Sequence, residues 1–583
     1  MLLSLPDLIT KVRRLDSSQE KYEHTGKIYF LRNYTVEMIE PFLKYHLYEA
    51  KINPLIQFGD YDVIHQEVLD PCSKLHKMQP DIIVIALVLE NIIPDMFALN
   101  EKIDEVKEHL NQIYKLVSKH SNALIAINTF IPPFYSEWGI AHSPDILGLN
   151  YLITELNQYI RRFVIEHGNR FFIVDWERLI RILGEDNGID YRYWYSSKAP
   201  FKNAFLDLYA IEIMKITRAL KGKAKKCVLL DCDNTLWGGI IGEDGIEGIK
   251  LDKDIYPGRA FYEFQRNLIY LFERGVILCL CSKNNEDDVW EVLDNHPQSL
   301  LKRKHFSAWR INWDDKVSNI QSLADELNIG IDSMVFVDDS PMECELVEER
   351  FPQVTVLQVP DKLYHYPHLL FKAGLFDTLK ISEEDKNRTA MYQAQARRNS
   401  ERNKFTDIAD YLSSLELQAT IHPVRKEEIP RTAQLTQKTN QFNLTTRRYS
   451  EADIAAMSKD PLKEVYTLSV KDRHGDYGLT GVLIASLKDK KCMVDSLLLS
   501  CRILGRRLEY VFVQQCFQDI QKNHPVEIWE AEYIPTVKNQ QVIDFWDKVG
   551  FTAVNQGGGK KFYKKIEDIP QKIKADFIEI IEE

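Results

Sequence analysis

The sequence predicts an α/β protein of several domains, in which two domains with parallel sheets precede a mixed α+β domain. The chain has 583 residues, which is too long for one hydrophobic core and corresponds to about three to four domains. Short apolar strands alternate with amphipathic stretches up to about residue 220, and this alternation is typical of parallel, doubly wound sheets. Further apolar strands, each followed by a carboxylate or a hydroxyl, lie between about residues 226 and 375. From about residue 410 several strands precede the next helix, which indicates an α+β domain.

The first predicted domain covers residues 1–220. Its candidate strands are 28–31, 55–58, 82–87, 123–128 and 171–175, with helical patterns such as 36–44 and 101–118 between them. Strands that alternate with helices in this way predict a doubly wound parallel sheet. Residues 221–226 then form a short basic linker.

The most informative stretch follows this linker. A short apolar run ends in two carboxylates spaced i, i+2, Asp231 and Asp233. A strand that delivers carboxylates to its carboxyl end builds an oxygen-rich site of the kind that suits Mg²⁺, and Mg²⁺ suits phosphate. Asp231 could attack phosphorus as a nucleophile, and Asp233 could move the proton of the leaving group or of water. The alternative is that both carboxylates only cap a strand-to-helix turn.

Three further elements match this chemistry in order along the chain. The apolar run 276–281 ends in Ser282, whose hydroxyl can hydrogen-bond a phosphoryl oxygen, and Lys316 would neutralise charge on the transferred group. The run 334–337 ends in Asp338 and Asp339, which would complete the Mg²⁺ site. Only residues 237–250 fill the first cap position, and residues 283–315 suffice for a helix and a strand. We therefore expect an open site with a minimal cap.

The last third of the chain contains a linker and a further domain. Residues 381–408 are charged and lack turn residues, which predicts an exposed connecting helix. The predicted strands of the domain 409–583 are 415–421, 464–470, 481–486, 491–498 and 527–531, and its predicted helices are 505–522 and 542–549.

Composition narrows the class of protein. The formal net charge of −12 argues against a nucleic-acid partner. Nine scattered cysteines do not form a disulfide framework, so a reducing compartment such as the cytoplasm is expected. The first residues do not resemble a signal peptide, and no uncharged apolar stretch is long enough for a membrane span.

Longer motifs carry a closer resemblance. The order of nucleophile strand, Ser strand, Lys and Asp-Asp strand resembles the haloacid dehalogenase (HAD) superfamily. The string from Asp231 to Gly239, followed by 241–245, looks like the FkbH subfamily. Further matches lie in the third domain, at residues 439–443, 500–502, 505–506, 535–536 and 538–539. The resemblance covers nearly the whole chain.

This resemblance implies an architecture and a reaction. FkbH-like proteins have an N-terminal part similar to the SGNH hydrolases, here residues 1–220, and a C-terminal part similar to the GNAT acyltransferases, here residues 409–583. Between them lies the HAD-like catalytic domain, here residues 221–380. Such proteins remove phosphate from 1,3-bisphosphoglycerate and load the glyceryl unit onto the phosphopantetheine thiol of an acyl carrier protein.

The resemblance also implies roles for single residues. Asp231 is the expected phosphoryl-accepting nucleophile and Asp233 the acid/base, while Ser282 and Lys316 hold the phosphoryl group. The Mg²⁺ ligands implied by the resemblance are Asp231, the carbonyl oxygen of Asp233, Asp338 and Asp339.

Thioester transfer needs a further chemistry, and Cys232 lies between the two carboxylates. One interpretation makes its thiol the nucleophile that holds the acyl group. The other makes it a small apolar residue at a strand end, since free cysteines are often buried and inert. Neighbouring carboxylates also raise the pKa of a thiol unless a cation compensates. The sequence leaves both interpretations open.

The outer domains depart from the patterns of their relatives. The Gly-Asp-Ser motif expected after the first strand is absent, and residues 32–35 stand there instead. We therefore predict a docking or scaffold domain without catalysis. In the last domain, Arg502, Gly505 and Arg506 precede a helix, and backbone amides at a helix start can bind a phosphopantetheine phosphate. The loop has one glycine, which favours binding of the carrier arm over acetyl transfer. The alternative is a helix cap with a solvated arginine.

Three functions remain open from the sequence. The first is the glyceryl transferase and phosphatase that feeds a carrier protein. The second is a Mg²⁺-dependent HAD phosphatase that acts on a small phosphorylated metabolite. The third is a carrier-docking scaffold with a vestigial site. Asn440, Asn443 and residues 538–539 are predicted to line one cleft or to be ordinary turn residues.

Overall fold

The computed structural model describes most of the chain. The described residues are 4–18, 22–140, 148–168, 170–372, 374–381, 389, 391–392, 408–473, 475–536, 538–557, 560–566 and 577–581. The predicted connecting helix, 381–408, lies almost entirely outside them. The chain forms two compact units, one of residues 1–221 with 450–453 and one of residues 222–449 with 454–583.

The smaller unit contains a five-stranded parallel sheet, as the sequence predicts. The strands are β1 (His24–Arg32), β2 (Ile52–Phe58), β3 (Ile82–Ala86), β4 (Leu124–Asn128) and β5 (Phe171–Val174). Their order is β2-β1-β3-β4-β5, and every pair is parallel. Strands β3 and β4 are buried along their whole length, which explains why they are continuous apolar runs.

Helices connect these strands and cover the sheet. They are Leu5–Asp16, Glu40–Glu49, Ile64–Leu69, Lys74–Met78, Leu89–Ile92, Leu99–His120, Leu149–Glu166, Trp176–Leu183, Glu185–Gly188, Tyr191–Ser197 and Asn203–Leu220. The longest, Leu99–His120, buries a stripe that includes Val106, Leu110 and Val117, because apolar residues recur at helical spacing along it.

The larger unit begins with a second five-stranded parallel sheet. Its strands are β6 (Cys227–Leu230), β7 (Ile277–Ser282), β8 (Phe306–Ile311), β9 (Met334–Asp338) and β10 (Thr355–Gln358), in the order β10-β9-β6-β7-β8. The accompanying helices are Ile241–Gly248, Gly258–Glu273, Glu286–Asn295, Lys316–Leu327, Pro341–Arg350 and Leu369–Lys372.

Alternate residues of β6 face opposite layers of this sheet. Val228 and Leu230 pack into one buried cluster, and Cys227 and Leu229 pack into another. Successive side chains of a strand point to opposite faces, so a central strand must be apolar on both. This alternation determines the direction of the residues that follow β6.

The last domain has a nine-stranded mixed sheet. Its strands are β11 (Leu417–Pro423), β12 (Phe442–Asn443), β13 (Lys463–Asp472), β14 (Gly475–Lys488), β15 (Lys491–Leu499), β16 (Ile528–Tyr533), β17 (Thr552–Gly557), β18 (Lys560–Ile566) and β19 (Ile578–Ile581). The pairs β15–β16 and β11–β19 are parallel, and the others are antiparallel. The α+β prediction is confirmed.

Helices flank this mixed sheet. They are Ile408–Ser414, Ile429–Lys438, Glu451–Met457, Leu508–Asn523 and Phe545–Lys548. The helix predicted over 542–549 is wrong in extent, because a 3₁₀ turn at Gln540–Val542 precedes the short helix Phe545–Lys548. Within the described part of the chain, none of the helices combines the length and the apolar character that spanning a bilayer demands.

Candidate active site

Three carboxylates meet at the carboxyl edge of the second sheet. Asp231 directly follows β6, and Asp338 ends the neighbouring strand β9, with Asp339 next to it. Each residue offers a carboxylate oxygen, and these oxygens all lie within 4.8 Å of one another. Parallel strands bring their carboxyl ends to one edge, so residues more than 100 positions apart form one cluster.

A buried lysine bridges two of these carboxylates. Lys316 begins the helix Lys316–Leu327 and is 3 % exposed. Its Nζ lies 2.7 Å from Oδ1 of Asp231, and it also donates to Oδ2 of Asp338. Burial lowers the pKa of Lys316, but the two carboxylates outweigh burial and raise it above its ordinary value. Burial and Asp231 in turn raise the pKa of Asp338 to about 6.

The charges of this cluster suit a divalent cation. Three ionised carboxylates and one ammonium leave a formal charge of −2 in a largely buried site, and buried charge is costly unless it is paired. Carboxylate oxygens are the ligands that Mg²⁺ prefers, commonly with waters and substrate phosphate in the remaining positions. The cluster therefore fits the predicted Mg²⁺ site. The Asp233 side chain does not belong to it, and the predicted contribution of its carbonyl oxygen stays a prediction.

The Asp233 carboxylate is held by three hydrogen bonds. Its Oδ1 accepts from Trp237 Nε1 at 2.9 Å and from the Ile241 amide at 3.0 Å, and its Oδ2 accepts from Asn284 Nδ2 at 2.9 Å. Burial raises the pKa of Asp233 above its ordinary value even though the Ile241 and Trp237 bonds lower it. A carboxyl group with a raised pKa and a fixed orientation is suited to acid/base work.

Cys232 stands between Asp231 and Asp233 in the chain but does not belong to the carboxylate cluster. Its side chain is fully buried and packs in the same apolar cluster as Leu230. Burial raises the pKa of its thiol well above the ordinary value, and Asp231 raises it further. The Ser282 hydroxyl is in hydrogen-bonding contact with this thiol and is itself buried. The structure thus gives Cys232 the surroundings of an inert core thiol.

Two residues that hold the site were not singled out from the sequence. Asn284 fixes Asp233, and Tyr366, which is fully buried, donates from its hydroxyl to the Thr235 carbonyl at 2.8 Å. Asn284 follows Ser282 at the i+2 spacing that points two side chains to one side, so this signal was present in the sequence. Tyr366 gave no such signal, because it follows the last strand of the sheet.

The cap is as small as the spacing predicts. Residues after Asp233 form a tight turn in which Asn234 has a positive φ of 52° and its side chain accepts from the Gly239 amide. A short helix, Ile241–Gly248, follows, and a bridge between Gly238 and Lys250 closes the segment. Between Ser282 and Lys316 stand only the helix Glu286–Asn295, a 3₁₀ turn and strand β8.

The carboxyl edge of the first sheet carries no comparable cluster among its described residues. Asn33 bonds the backbone of Val88 in both directions, at 2.8 and 3.0 Å. Asn128 does the same with the backbone of Leu87, at 2.9 and 2.8 Å. The edge also borders an apolar cavity of about 320 Å³. Both asparagines therefore connect neighbouring strand ends, which is a structural role.

The predicted phosphate-binding loop of the last domain is divided between two surroundings. Arg502 lines a cavity together with Asn440 and Lys538. Arg506 is buried and donates to the Tyr477 hydroxyl and to the Arg502 carbonyl, with Asp472 at 3.5 Å. Its guanidinium therefore stabilises the fold, which differs from the predicted ligand contact.

Gly505 and the two remaining asparagines have backbone roles. Gly505 has a φ of +78°, which favours glycine at the turn before the helix Leu508–Asn523. Asn443 and Asn539 are fully buried, and Asn539 Nδ2 donates to the Asn443 carbonyl at 2.9 Å. Of the polar residues predicted for one cleft, Asn440 and Lys538 line the cavity, whereas these two hold the chain around it.

Known proteins resemble parts of this chain. The family of NLI interacting factor-like phosphatases matches residues 226–357. Among solved structures, the N-terminal part of the protein BF1531 from Bacteroides fragilis, which contains a phosphatase domain complexed with Mg, is 25 % identical, with a TM-score of 0.58. The match covers 65 % of this chain and 100 % of that chain. No curated protein matches.

Acetyltransferase structures resemble a smaller part. The ribosomal-protein-S18-alanine N-acetyltransferase from Escherichia coli is 12 % identical over 27 % of this chain and 99 % of its own, with a TM-score of 0.21. NAA60 from Arabidopsis thaliana, in complex with a bisubstrate analogue, is 11 % identical over 26 % of this chain and 99 % of its own, with a TM-score of 0.21. Scores this low carry no argument about the last domain.

The geometry and the comparisons agree on the central domain. The chain contains a phosphatase domain of the HAD type, and the carboxylate cluster lies at the edge where that chemistry needs it. The FkbH subfamily, the SGNH-like character of the first domain and the GNAT-like character of the last remain predictions.

Proposed function

We propose that this protein is a Mg²⁺-dependent phosphatase in which Asp231 forms a transient aspartyl phosphate. The observation that carries the proposal is the cluster of Asp231, Asp338 and Asp339 with Lys316 buried against it. The Mg²⁺ in the structure of the Bacteroides fragilis phosphatase domain adds support. A bound Mg²⁺ would offset the repulsion between the nucleophilic carboxylate and an anionic substrate.

Each side chain of the site has a separate role in such a reaction. Asp231 attacks phosphorus while Asp233 donates a proton to the leaving oxygen. Asp233 then accepts a proton from the water that hydrolyses the aspartyl phosphate. Lys316 stabilises the charge that develops on the transferred phosphoryl oxygens, and Ser282 is assigned the same task. The raised pKa of Asp233 supports its role as the proton donor in the first step.

A finer function rests on the sequence motifs and the minimal cap. We infer that the substrate is 1,3-bisphosphoglycerate or a similar acyl phosphate, and that the glyceryl unit is loaded onto the phosphopantetheine thiol of an acyl carrier protein in the cytoplasm. An open site with a short cap helix leaves room for a substrate tethered to a protein. In this proposal the SGNH-like domain docks the carrier without catalysis, and the GNAT-like domain contacts the carrier arm.

The acyl-holding role of Cys232 receives little support from its surroundings. A thiol that is packed in the core and has a raised pKa is a poor nucleophile. We therefore propose that the carrier thiolate attacks the carbonyl carbon of the acyl phosphate directly. The carbon–sulfur bond forms, and the phosphate at C1 leaves as inorganic phosphate with the electrons of the carbon–oxygen bond. The phosphate ester at C3 is removed separately through the aspartyl phosphate at Asp231, so that the carrier ends with a glyceryl unit.

The intact mass of a carrier protein tests the finer function. The carrier is incubated with the enzyme, Mg²⁺ and 1,3-bisphosphoglycerate, and the Asp231→Asn variant serves as the control. A glyceryl mass gain supports the transferase. Release of inorganic phosphate without a mass gain supports the alternative of a plain phosphatase on a small metabolite. If neither a mass gain nor inorganic phosphate is observed, the result supports the carrier-docking scaffold with a vestigial site.

A further inference from the structure

A further cavity lies in the larger unit, between the phosphatase domain and the last domain. Its volume is about 250 Å³. Lys226, which directly precedes β6, and Ser333, which directly precedes β9, form part of its wall. Asp231 and Asp338 stand at the other ends of these two strands. Four residues of β6 at about 3.3 Å each separate the two edges by roughly 13 Å, so the cavity is separate from the carboxylate site.

Positive charge dominates the wall of this cavity. Its described lining residues carry five cationic side chains and one carboxylate, namely Lys226, Arg431, Lys438, Arg502, Lys538 and Asp332. Their formal sum is +4, whereas the whole chain has a formal net charge of −12. Concave surfaces that carry one sign of charge focus the field and attract ions of the opposite sign.

The single carboxylate is already engaged. Asp332 forms an ion pair with Lys538. Burial raises the pKa of Asp332, but Lys538, Lys226 and Lys225 outweigh burial and lower it below its ordinary value. The described lining therefore contains four cations in addition to this ion pair.

Arg502 presents its guanidinium without a carboxylate partner among the described residues. Its Nε donates to the Ser500 hydroxyl at 3.0 Å, and one terminal nitrogen lies 2.6 Å from the Met391 sulfur. A thioether is a weak acceptor, so the guanidinium keeps most of its capacity for an anion. The planar fork of arginine matches the geometry of phosphate.

We propose that this cavity binds the phosphate group of a small phosphate ester. Its volume of about 250 Å³ is enough for a phosphate group and the atoms next to it. A free phosphorylated metabolite and the phosphopantetheine arm of a carrier protein share this chemistry. The proposal does not depend on the reaction assigned to Asp231.

Three separated segments of the last domain converge on the cavity. Asn440 follows the helix Ile429–Lys438, Arg502 follows strand β15, and Lys538 follows strand β16. These segments supply two of the cations and a polar amide. Phosphate binding gives one physical reason for their convergence against the phosphatase domain.

Cys501 provides a reporter for this site. All nine cysteines are free, and only Cys72 and Cys501 are not buried. Cys501 lines the cavity, whereas Cys72 belongs to the other unit. The test uses a Cys72→Ser background, in which peptide mass spectrometry follows the alkylation of Cys501 by iodoacetamide. The rate of this alkylation measures the occupancy of the cavity. EDTA and the Asp231→Asn substitution remove turnover and metal-assisted binding at the carboxylate site.

The probes are inorganic phosphate, 3-phosphoglycerate and 4′-phosphopantetheine, with unphosphorylated pantetheine as the uncharged control. Both pantetheine compounds are used with the thiol blocked as the S-methyl thioether, so that they do not consume iodoacetamide. We expect at least one phosphorylated probe to slow the alkylation of Cys501 in a saturable manner, and pantetheine to leave it unchanged. Protection by 3-phosphoglycerate alone identifies a free metabolite, and protection by 4′-phosphopantetheine alone identifies the carrier arm. Protection by inorganic phosphate as well shows that the phosphate group suffices.

Two substitutions test the assigned contacts. Arg502→Gln removes a charged donor and should weaken protection about tenfold or more, because a hydrogen bond to a charged group contributes about 1.5–3 kcal/mol. Asn440→Asp adds a negative charge to the wall and should also weaken protection. Lys490→Gln removes a cation of the same domain that is exposed, pairs with Glu527 and does not line the cavity, so it should leave protection unchanged.

Thermal unfolding and circular dichroism establish that each variant is folded. If Arg502→Gln fails to fold, Asn440→Asp still tests whether the cavity binds the phosphate group. The proposal is overturned if no phosphorylated probe protects Cys501, if pantetheine protects it equally well, or if a folded Arg502→Gln or Asn440→Asp variant retains the original affinity.

Discussion

The carboxyl edges of the two parallel sheets differ in character, although both sheets have five strands and the same doubly wound construction. The edge of the β6–β10 sheet gathers Asp231, Asp338, Asp339 and Lys316 into a cluster of charges. At the edge of the β1–β5 sheet, the side chains of Asn33 and Asn128 hydrogen-bond the backbone that directly follows strand β3. Similar architecture thus supports chemistry at one edge and structure at the other, because function lies in the side chains placed on a fold.

The largest expected effect concerns the nucleophile. Asp231→Asn should lower phosphate release by roughly four orders of magnitude, since it removes the attacking oxygen. Asp175→Asn at the edge of the first sheet should leave the rate within about twofold, because Asp175 caps the helix Trp176–Leu183 and pairs with Arg161. Assays with a chromogenic phosphate ester measure both. A comparable loss in Asp175→Asn would remove the distinction between the two edges.

The buried lysine should couple activity to metal binding. Lys316→Met should lower the rate by roughly 10²–10³-fold, which is the typical effect of removing one transition-state donor. It should also lower the melting temperature, because Asp231 and Asp338 then repel each other without the ammonium between them.

Mg²⁺ should restore more of this stability in Lys316→Met than it adds to the parent protein. Thermal unfolding in EDTA and in Mg²⁺ measures the difference. Equal stabilisation of both proteins would show that Lys316 and the metal do not share the carboxylates.

The first sheet should respond to mutation by losing stability instead of activity. Asn128→Ala leaves the amide and carbonyl of Leu87 without their partners, and should cost about 2–4 kcal/mol of the free energy of unfolding. The exposed Asn187→Ala, which also loses a bond to a carbonyl, should cost less than about 0.5 kcal/mol. Urea denaturation measures both. Loss of phosphatase activity in a stable Asn128→Ala protein would contradict the structural role.

The smallest effect is expected at Cys232. Cys232→Ala should keep phosphate release within about threefold and cost about 1 kcal/mol, because it removes a sulfur from the core and no group from the cluster. Steady-state kinetics and urea denaturation measure the two quantities. A large loss of activity would show that the thiol takes part in catalysis. The same conclusion would follow if the parent enzyme forms a glyceryl adduct and the Cys232→Ala variant does not.

The sequence predicts the strands that appear as short apolar runs between helical patterns. Each of the five predicted strands of the first sheet overlaps an observed one, because each strand is a short apolar run bounded by helical patterns. The cluster of Asp231, Lys316 and Asp338 could be predicted because parallel strands bring their carboxyl ends together.

Other features depend on contacts that no local pattern encodes. The strand Lys560–Ile566 was not predicted, because four of its seven residues are lysines and it lacks an apolar alternation. The direction of the Cys232 side chain follows from the alternation along β6, and the sequence alone left its role open. The role of Tyr366 and the cationic cavity depend on segments that are distant in the chain.

The aspartyl phosphate itself provides the most direct test of the carboxylate site. Borohydride reduces an aspartyl phosphate to homoserine, so the enzyme is quenched with borohydride during turnover of a phosphate ester with Mg²⁺ and digested for tandem mass spectrometry. We predict homoserine at position 231, and aspartate at that position when Mg²⁺ is replaced by EDTA. Homoserine at position 338 or 233, or rapid turnover with no modified residue in the peptide that contains Asp231, would contradict the account.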